Sequence, residues 1–105
     1  MFQVIKKQIR PSLSVDFYLP STSATMSLTD KRRFYEKYVL TGKHINVAVE
    51  VSPDGLTQTL TAIWDSEESA NEFLNDPEMV TFINDQNAYQ NTAGVSITLV
   101  SKQNI

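Results

Sequence analysis

Apolar residues recur with two periods along this chain, and the changes of period mark its elements. In residues 2–10, FQVIKKQIR, Gln3, Ile5, Lys7 and Ile9 alternate with Phe2, Val4, Lys6 and Gln8. A period of two predicts a strand. Pro11 has no N–H to give to a ladder, so pairing stops or bulges there. Residues 13–19, LSVDFYL, alternate again, with Leu13, Val15, Phe17 and Leu19 set against Ser14, Asp16 and Tyr18. Either the strand resumes past a bulge or the segment is a packed loop, and the pattern leaves both open. A linker-like stretch, Pro20-Ser21-Thr22-Ser23-Ala24-Thr25, follows.

The period then becomes helical. Ser27 stands three residues before Asp30 as a capping oxygen. A helix is expected over about 28–41. Phe34, Tyr35, Tyr38 and Val39 are three and four residues apart and share one face, with Asp30, Lys31, Arg33 and Lys37 mostly opposite. Gly42 supplies the left-handed position that ends it.

Residues 43–52 and 56–64 read as a hairpin. Ile45, Val47, Val49 and Val51 alternate with His44, Asn46, Ala48 and Glu50. In the turn Pro53-Asp54-Gly55, proline presets φ and glycine accepts a positive φ. A three-residue loop sets Ser52 opposite Leu56. Counting back pairs Glu50 with Gln58, Ala48 with Leu60, Asn46 with Ala62 and His44 with Trp64. On the other face Val51, Val49, Val47 and Ile45 meet Thr57, Thr59, Thr61 and Ile63. A slip of one residue would turn every side chain over.

Asp65-Ser66-Glu67-Glu68 opens a second helix, with capping oxygens first and acids in the first turn. Ala70, Phe73 and Leu74 form its apolar stripe. Asp76-Pro77-Glu78 starts a third helix, with Asp76 as N-cap and proline first. Met79, Val80, Phe82, Ile83 and Tyr89 give it apolar contact, and Gly94 ends it. Residues 95–102, VSITLVSK, are the last strand, with Val95, Ile97 and Leu99 on one face. The order is βαββαβ over a single domain, 1–105. With right-handed crossovers it gives an α+β fold, a four-stranded antiparallel sheet with helices on one face.

Composition narrows the chemistry. The chain has no cysteine and one histidine, His44. Disulfides, thiolate metal sites, iron–sulfur clusters and sites needing two imidazoles from one chain are excluded. No cofactor or metal is expected. No apolar run reaches the ~18 residues of a membrane span, and MFQVIKKQIRP is too polar for a secretion signal. A cytoplasmic protein without a membrane partner is expected. Residues 1–52 hold eight Lys/Arg and four Asp/Glu, whereas residues 53–105 hold one Lys and eight Asp/Glu. The one basic cluster, Lys31, Arg32, Arg33 and Lys37, is a solvated helix face rather than a nucleic-acid stripe.

Helices cover one sheet face, yet both faces of the hairpin carry apolar groups. A bare face holding Trp64 and Leu60 is more than a monomer tolerates. The expectation is a homodimer joined through the face of His44, Asn46, Ala48, Leu60 and Trp64, with the valine-rich face beneath the helices.

The βαββαβ order, the hairpin turn and the run TLTAIWDSEESANEFLNDPEM resemble the dimeric α/β-barrel superfamily, the ferredoxin-like group that includes antibiotic-biosynthesis monooxygenases. The resemblance covers residues 2–10 and about 27–102. Segment 11–26 is longer than the usual step from first strand to first helix. The resemblance implies two sheets closing a barrel, with a small pocket between sheet and helices in each subunit.

Two functions fit. The first is a non-catalytic dimer binding a small, mainly apolar molecule, fatty-acid-like or aromatic, with Tyr18, Phe34, Tyr35, Tyr38, Leu60 and Trp64 as candidate lining. The second is a cofactor-independent monooxygenase or polyketide cyclase using His44, Asn46 and Trp64. Superfamily members that oxidise aromatic polyketides without metal or flavin use Trp, Asn and Tyr, and the cyclases use His with Tyr. His44 sits opposite Trp64 with an ordinary pKa near 6.5, suited to proton transfer. The plainer alternatives are a histidine at the sheet rim and a tryptophan of the core. Haem-degrading relatives ligate iron through a helical histidine, and no expected helix here carries one. A third possibility is a structural dimer without a ligand.

Overall fold

A computed structural model describes residues 1–18 and 28–105. The elements are β1 (Phe2–Ile9), α1 (Leu28–Phe34, continued as a wide π-helical turn over Tyr35–Val39), β2 (His44–Val51), β3 (Thr57–Trp64), α2 (Glu67–Leu74), α3 (Pro77–Ala93) and β4 (Ser96–Asn104). They form one antiparallel sheet in the order β2-β3-β1-β4. This is the expected βαββαβ, ferredoxin-like arrangement, with β1 and β3 central and β2 and β4 at the edges. No helix among the described residues is long and apolar enough to cross a membrane.

Of the two possibilities for the segment after Pro11, the loop is adopted: residues 11–18 run through bends and turns with no strand. The loop is nevertheless fastened. Arg10 donates to the carbonyls of Gly55 and Val15 at 2.8 and 3.1 Å and lies 4.5 Å from the centre of the buried Phe17 ring. From α3, Tyr89 Oη and Gln90 Nε2 donate to the carbonyls of Asp16 and Phe17, each at 3.0 Å. The expected Ser27 cap, Leu19 and the 20–25 stretch lie outside the described residues.

The hairpin corrects the expected register. Ser52 N donates to Thr57 O at 2.8 Å, so four residues, Pro53 to Leu56, make the loop. Asp54 Oδ1 accepts from Leu56 N at 3.1 Å and draws Leu56 into the turn, while Gly55 takes φ +75°. Val51 therefore pairs with Gln58, Val49 with Leu60 and Val47 with Ala62. A bulge between His44 and Asn46 then restores the expected His44–Trp64 pair.

Side chains alternate across strands and paired residues share a face. Phe2, Val4, Lys6 and Gln8 therefore stand beside Trp64, Ala62, Leu60 and Gln58. This is the helix-covered face, because Phe2, Trp64 and Ala70 of α2 form one core cluster, with Val4 and Phe73 packed against it. Trp64 is 4% exposed, lodged beneath its own helices. The expected dimer face is overturned on this point. The bulge divides that set: His44, Leu60 and Trp64 turn toward the helices, whereas Asn46 and Ala48 turn to the helix-free side. The valines of β2 share the helix-side face as expected but lie beyond the helices, with Val47, Val49 and Val51 45%, 55% and 50% exposed.

The cap signals of α2 and α3 hold with one exception. Ser66 Oγ accepts from Ser69 N at 3.1 Å and caps α2, and Gly94, at φ +81°, ends α3. Asp76 occupies the N-cap position of α3, but its carboxylate makes no cap bond. It is drawn instead to α1, where Arg33 meets it through both terminal nitrogens at 3.1 and 2.7 Å. Tyr38 Oη donates to it at 3.0 Å. A charge-assisted fork of this kind outcompetes a single backbone amide. This tie anchors the second core cluster of Phe34, Tyr38 and Met79, against which Phe73, Phe82 and Ile83 pack.

Candidate functional site: a cavity between sheet and helices

The strands set side chains upright under α2 and α3, and the two helices leave a gap over the middle of the sheet. The result is a cavity of about 220 Å³. Its apolar wall comes from Leu60 and Ile97 on the sheet and from Phe73 and Leu74 on α2. Met79, Phe82 and Ile83 of α3 complete that wall. Its polar groups are Lys6 and Gln8 of β1, Tyr18 of the fastened loop, and Gln86, Asn87 and Gln90 of α3.

A hydrogen-bond chain orders one side. Gln58 Nε2 donates to Gln8 Oε1 at 3.0 Å and to Tyr18 Oη at 3.3 Å. Gln8 and Gln58 are both buried, so each amide needs the other. Tyr18 reaches the cavity because Tyr89 and Gln90 hold the carbonyls of the two residues before it.

Of the candidate ligand-binding residues, Tyr18 and Leu60 line this cavity. The other candidates lie elsewhere. Phe34 and Tyr38 sit behind the wall in the core cluster. Tyr38 Oη is committed to Asp76, and burial pushes its pKa up. Tyr35 is 52% exposed. Trp64 is on the far side of Phe73, the two rings 4.8 Å apart between centroids.

His44 and Trp64 come together, with centroids 4.0 Å apart and planes 14° apart. Asn46 does not join them through its side chain. Its backbone hydrogen-bonds the imidazole, while burial, the larger influence, lowers the His44 pKa. His44 Nε2 is enclosed with no hydrogen-bond partner. Burial thus favours the uncharged ring, which stands outside this cavity and borders, with Val39, Ile45, Asn46 and Val47, a separate open hollow of about 250 Å³.

Pattern reading missed Lys6, Gln8 and the α3 glutamines. A signal existed for the sheet residues. Lys6 and Gln8 fall on the same alternation as Phe2 and Val4, and Gln58 on that of Leu60 and Trp64. A polar residue on the covered stripe is an exception that calls for a partner or a ligand. Among the described residues, no group of three His, Cys, Asp or Glu could hold a metal ion.

No protein-family model matches the chain, and no characterised protein matches it in sequence. Its likeness is to solved structures. One is an antibiotic biosynthesis monooxygenase, 16% identical, with 96% of this chain and 97% of that one covered at a TM-score of 0.50. Another, from Deinococcus radiodurans and described as an antibiotic biosynthesis monooxygenase, is 12% identical over 100% of this chain and 95% of that one, at a TM-score of 0.51. The chain has the ferredoxin-like α+β fold of these monooxygenase-like proteins.

Proposed function

We propose that this is a homodimeric, cytoplasmic binding protein for a small, mainly apolar molecule, fatty-acid-like or aromatic, held between sheet and helices. The observation that carries this is the cavity: an apolar wall with a limited set of polar groups, supplied by β1, the Tyr18 loop and α3, is the form of a ligand site. Its size restricts the ligand. A dry cavity of about 150 Å³ admits benzene, so 220 Å³ suits one ring with a substituent or a short alkyl chain. The dimer rests on the bare apolar residues of the edge strands, Val47, Val49 and Val51 on β2 and Leu99 and Val100 on β4. A second copy would cover what a monomer rarely leaves open.

The alternative is a cofactor-independent monooxygenase or cyclase. The Tyr18 hydroxyl at the cavity and the fold likeness favour it. The separation of Trp64 and His44 from the cavity by Phe73 favours binding without turnover.

A thermal-shift and calorimetric screen with hexan-1-ol, phenol and hexanoate tests the pocket. At least one is expected to bind saturably, and Ile83→Trp, which fills the cavity, to abolish that binding. Binding unaltered in Ile83→Trp, or absent for every probe, would sink it. Oxygen uptake with a hydroquinone separates the alternative, because turnover would establish the enzyme.

A further inference from the structure

Among the described residues, Lys6 is the sole charged one in the cavity lining. The ion pairs among the described residues engage Arg33, Lys37 and Lys43. None engages Lys6, and residues 19–27 contain no acid. An ammonium group set on the covered face of a central strand, beside Leu60 and Leu99, therefore has no internal counter-ion.

The hydrogen-bond chain next to it has a direction. An amide nitrogen has two protons, and Gln58 spends both, on Gln8 Oε1 and Tyr18 Oη. Gln8 has thereby used its oxygen as acceptor and keeps its N–H groups to give. Tyr18 has accepted through its oxygen and keeps its O–H to give. Lys6 can only donate. The sheet side of the cavity thus offers donors and one positive charge, which suits a group that only accepts and is negative. A carboxylate is that group.

We propose that the cavity takes a small monocarboxylate, its head held by the Lys6 ammonium, the Tyr18 hydroxyl and the Gln8 amide, its aliphatic or single-ring body against Leu60, Phe73 and Ile83. This rests on the pocket reading above and adds the charge and the head group. The carboxylate acts here as a bound ion, and no bond is made or broken.

Matched probes test it by titration calorimetry at pH 7.5 and low salt: hexanoate, hexan-1-ol and hexylamine, then benzoate, benzyl alcohol and benzylamine. One acid of the two series is expected to bind about tenfold or more tighter than its alcohol, and the amine weakest. Which acid wins distinguishes an aliphatic from an aromatic ligand. Lys6→Met keeps an apolar stem and should bring acid and alcohol level. Tyr18→Phe should narrow the gap. Alcohol binding as tight as acid in the native protein, or an acid preference untouched by Lys6→Met, overturns the charge assignment and leaves the pocket standing. No binding by any probe overturns both.

Discussion

His44 lies flat on Trp64, their centroids 4.0 Å apart, and the contact survives a hairpin register that differs by one residue along most of its length. The loop adds a residue to one strand and the bulge at Ile45 adds one to the other, so the rings meet. The bulge also separates the stack from Asn46, whose side chain turns to the opposite face.

The stack has a consequence in acid. Burial lowers the His44 pKa below its unfolded value, so the folded state resists the proton. Its contribution to stability is present above about pH 6.5 and is lost as pH falls through the lower folded value. The melting temperature should decline between pH 7 and pH 5. His44→Phe, which preserves the stack, should remove that decline, as thermal melts at half-unit pH steps would reveal. An unchanged decline in the variant would exclude His44 as its cause.

Phe73 joins the two core clusters. Its ring is 5.0 Å from Tyr38 and 4.8 Å from Trp64 by centroid, and it also walls the cavity. Phe73→Ala should cost about 3 kcal/mol in urea unfolding and shift the emission of Trp64, the only tryptophan. A loss under about 0.5 kcal/mol, the range of ordinary surface substitutions, would contradict this role.

Asp76 ties α1 to the start of α3. The Arg33 fork holds its carboxyl well below the usual carboxylate range. The sign follows: this stability is present above about pH 4 and is lost as the pH falls further. Asp76→Asn should destabilise by about 1–3 kcal/mol at pH 7, kept modest because Arg33 is 36% exposed and partly screened. The difference from the native protein should narrow below pH 4. Chemical unfolding at pH 7 and pH 3 measures both, and an equal difference at the two values would rule out the ionised carboxylate as its source.

The proposed dimer can be read by native mass spectrometry at micromolar concentration. A mass of two chains is expected, twice 11.9 kDa. Replacing Val47 with Glu and Val49 with Lys should yield single chains without loss of secondary structure, since both side chains are already half exposed. A native protein of one chain, or a double variant that stays paired, would remove β2 from the interface.

The order of elements, the antiparallel sheet, the caps at Ser66 and Gly94 and the parity of β1 were all legible in the chain. Each depends on local chemistry: alternation, a capping oxygen, a positive φ only glycine takes easily. What local pattern leaves undetermined is competition between distant groups. Asp76 looks like a cap until Arg33, forty-three residues away, offers two charged donors. Leu56 looks like a strand residue until the Asp54 carboxylate takes its N–H. Trp64 looks exposed on an apolar face until α2 sets Phe73 and Ala70 over it. The cavity is wholly tertiary, because Lys6, Tyr18 and Ile83 come from three elements whose spacing only packing sets. The alternation of β1 fixed only that Lys6 shares a face with Phe2 and Val4; the fold decided that this face is the covered one and that a space lies above it.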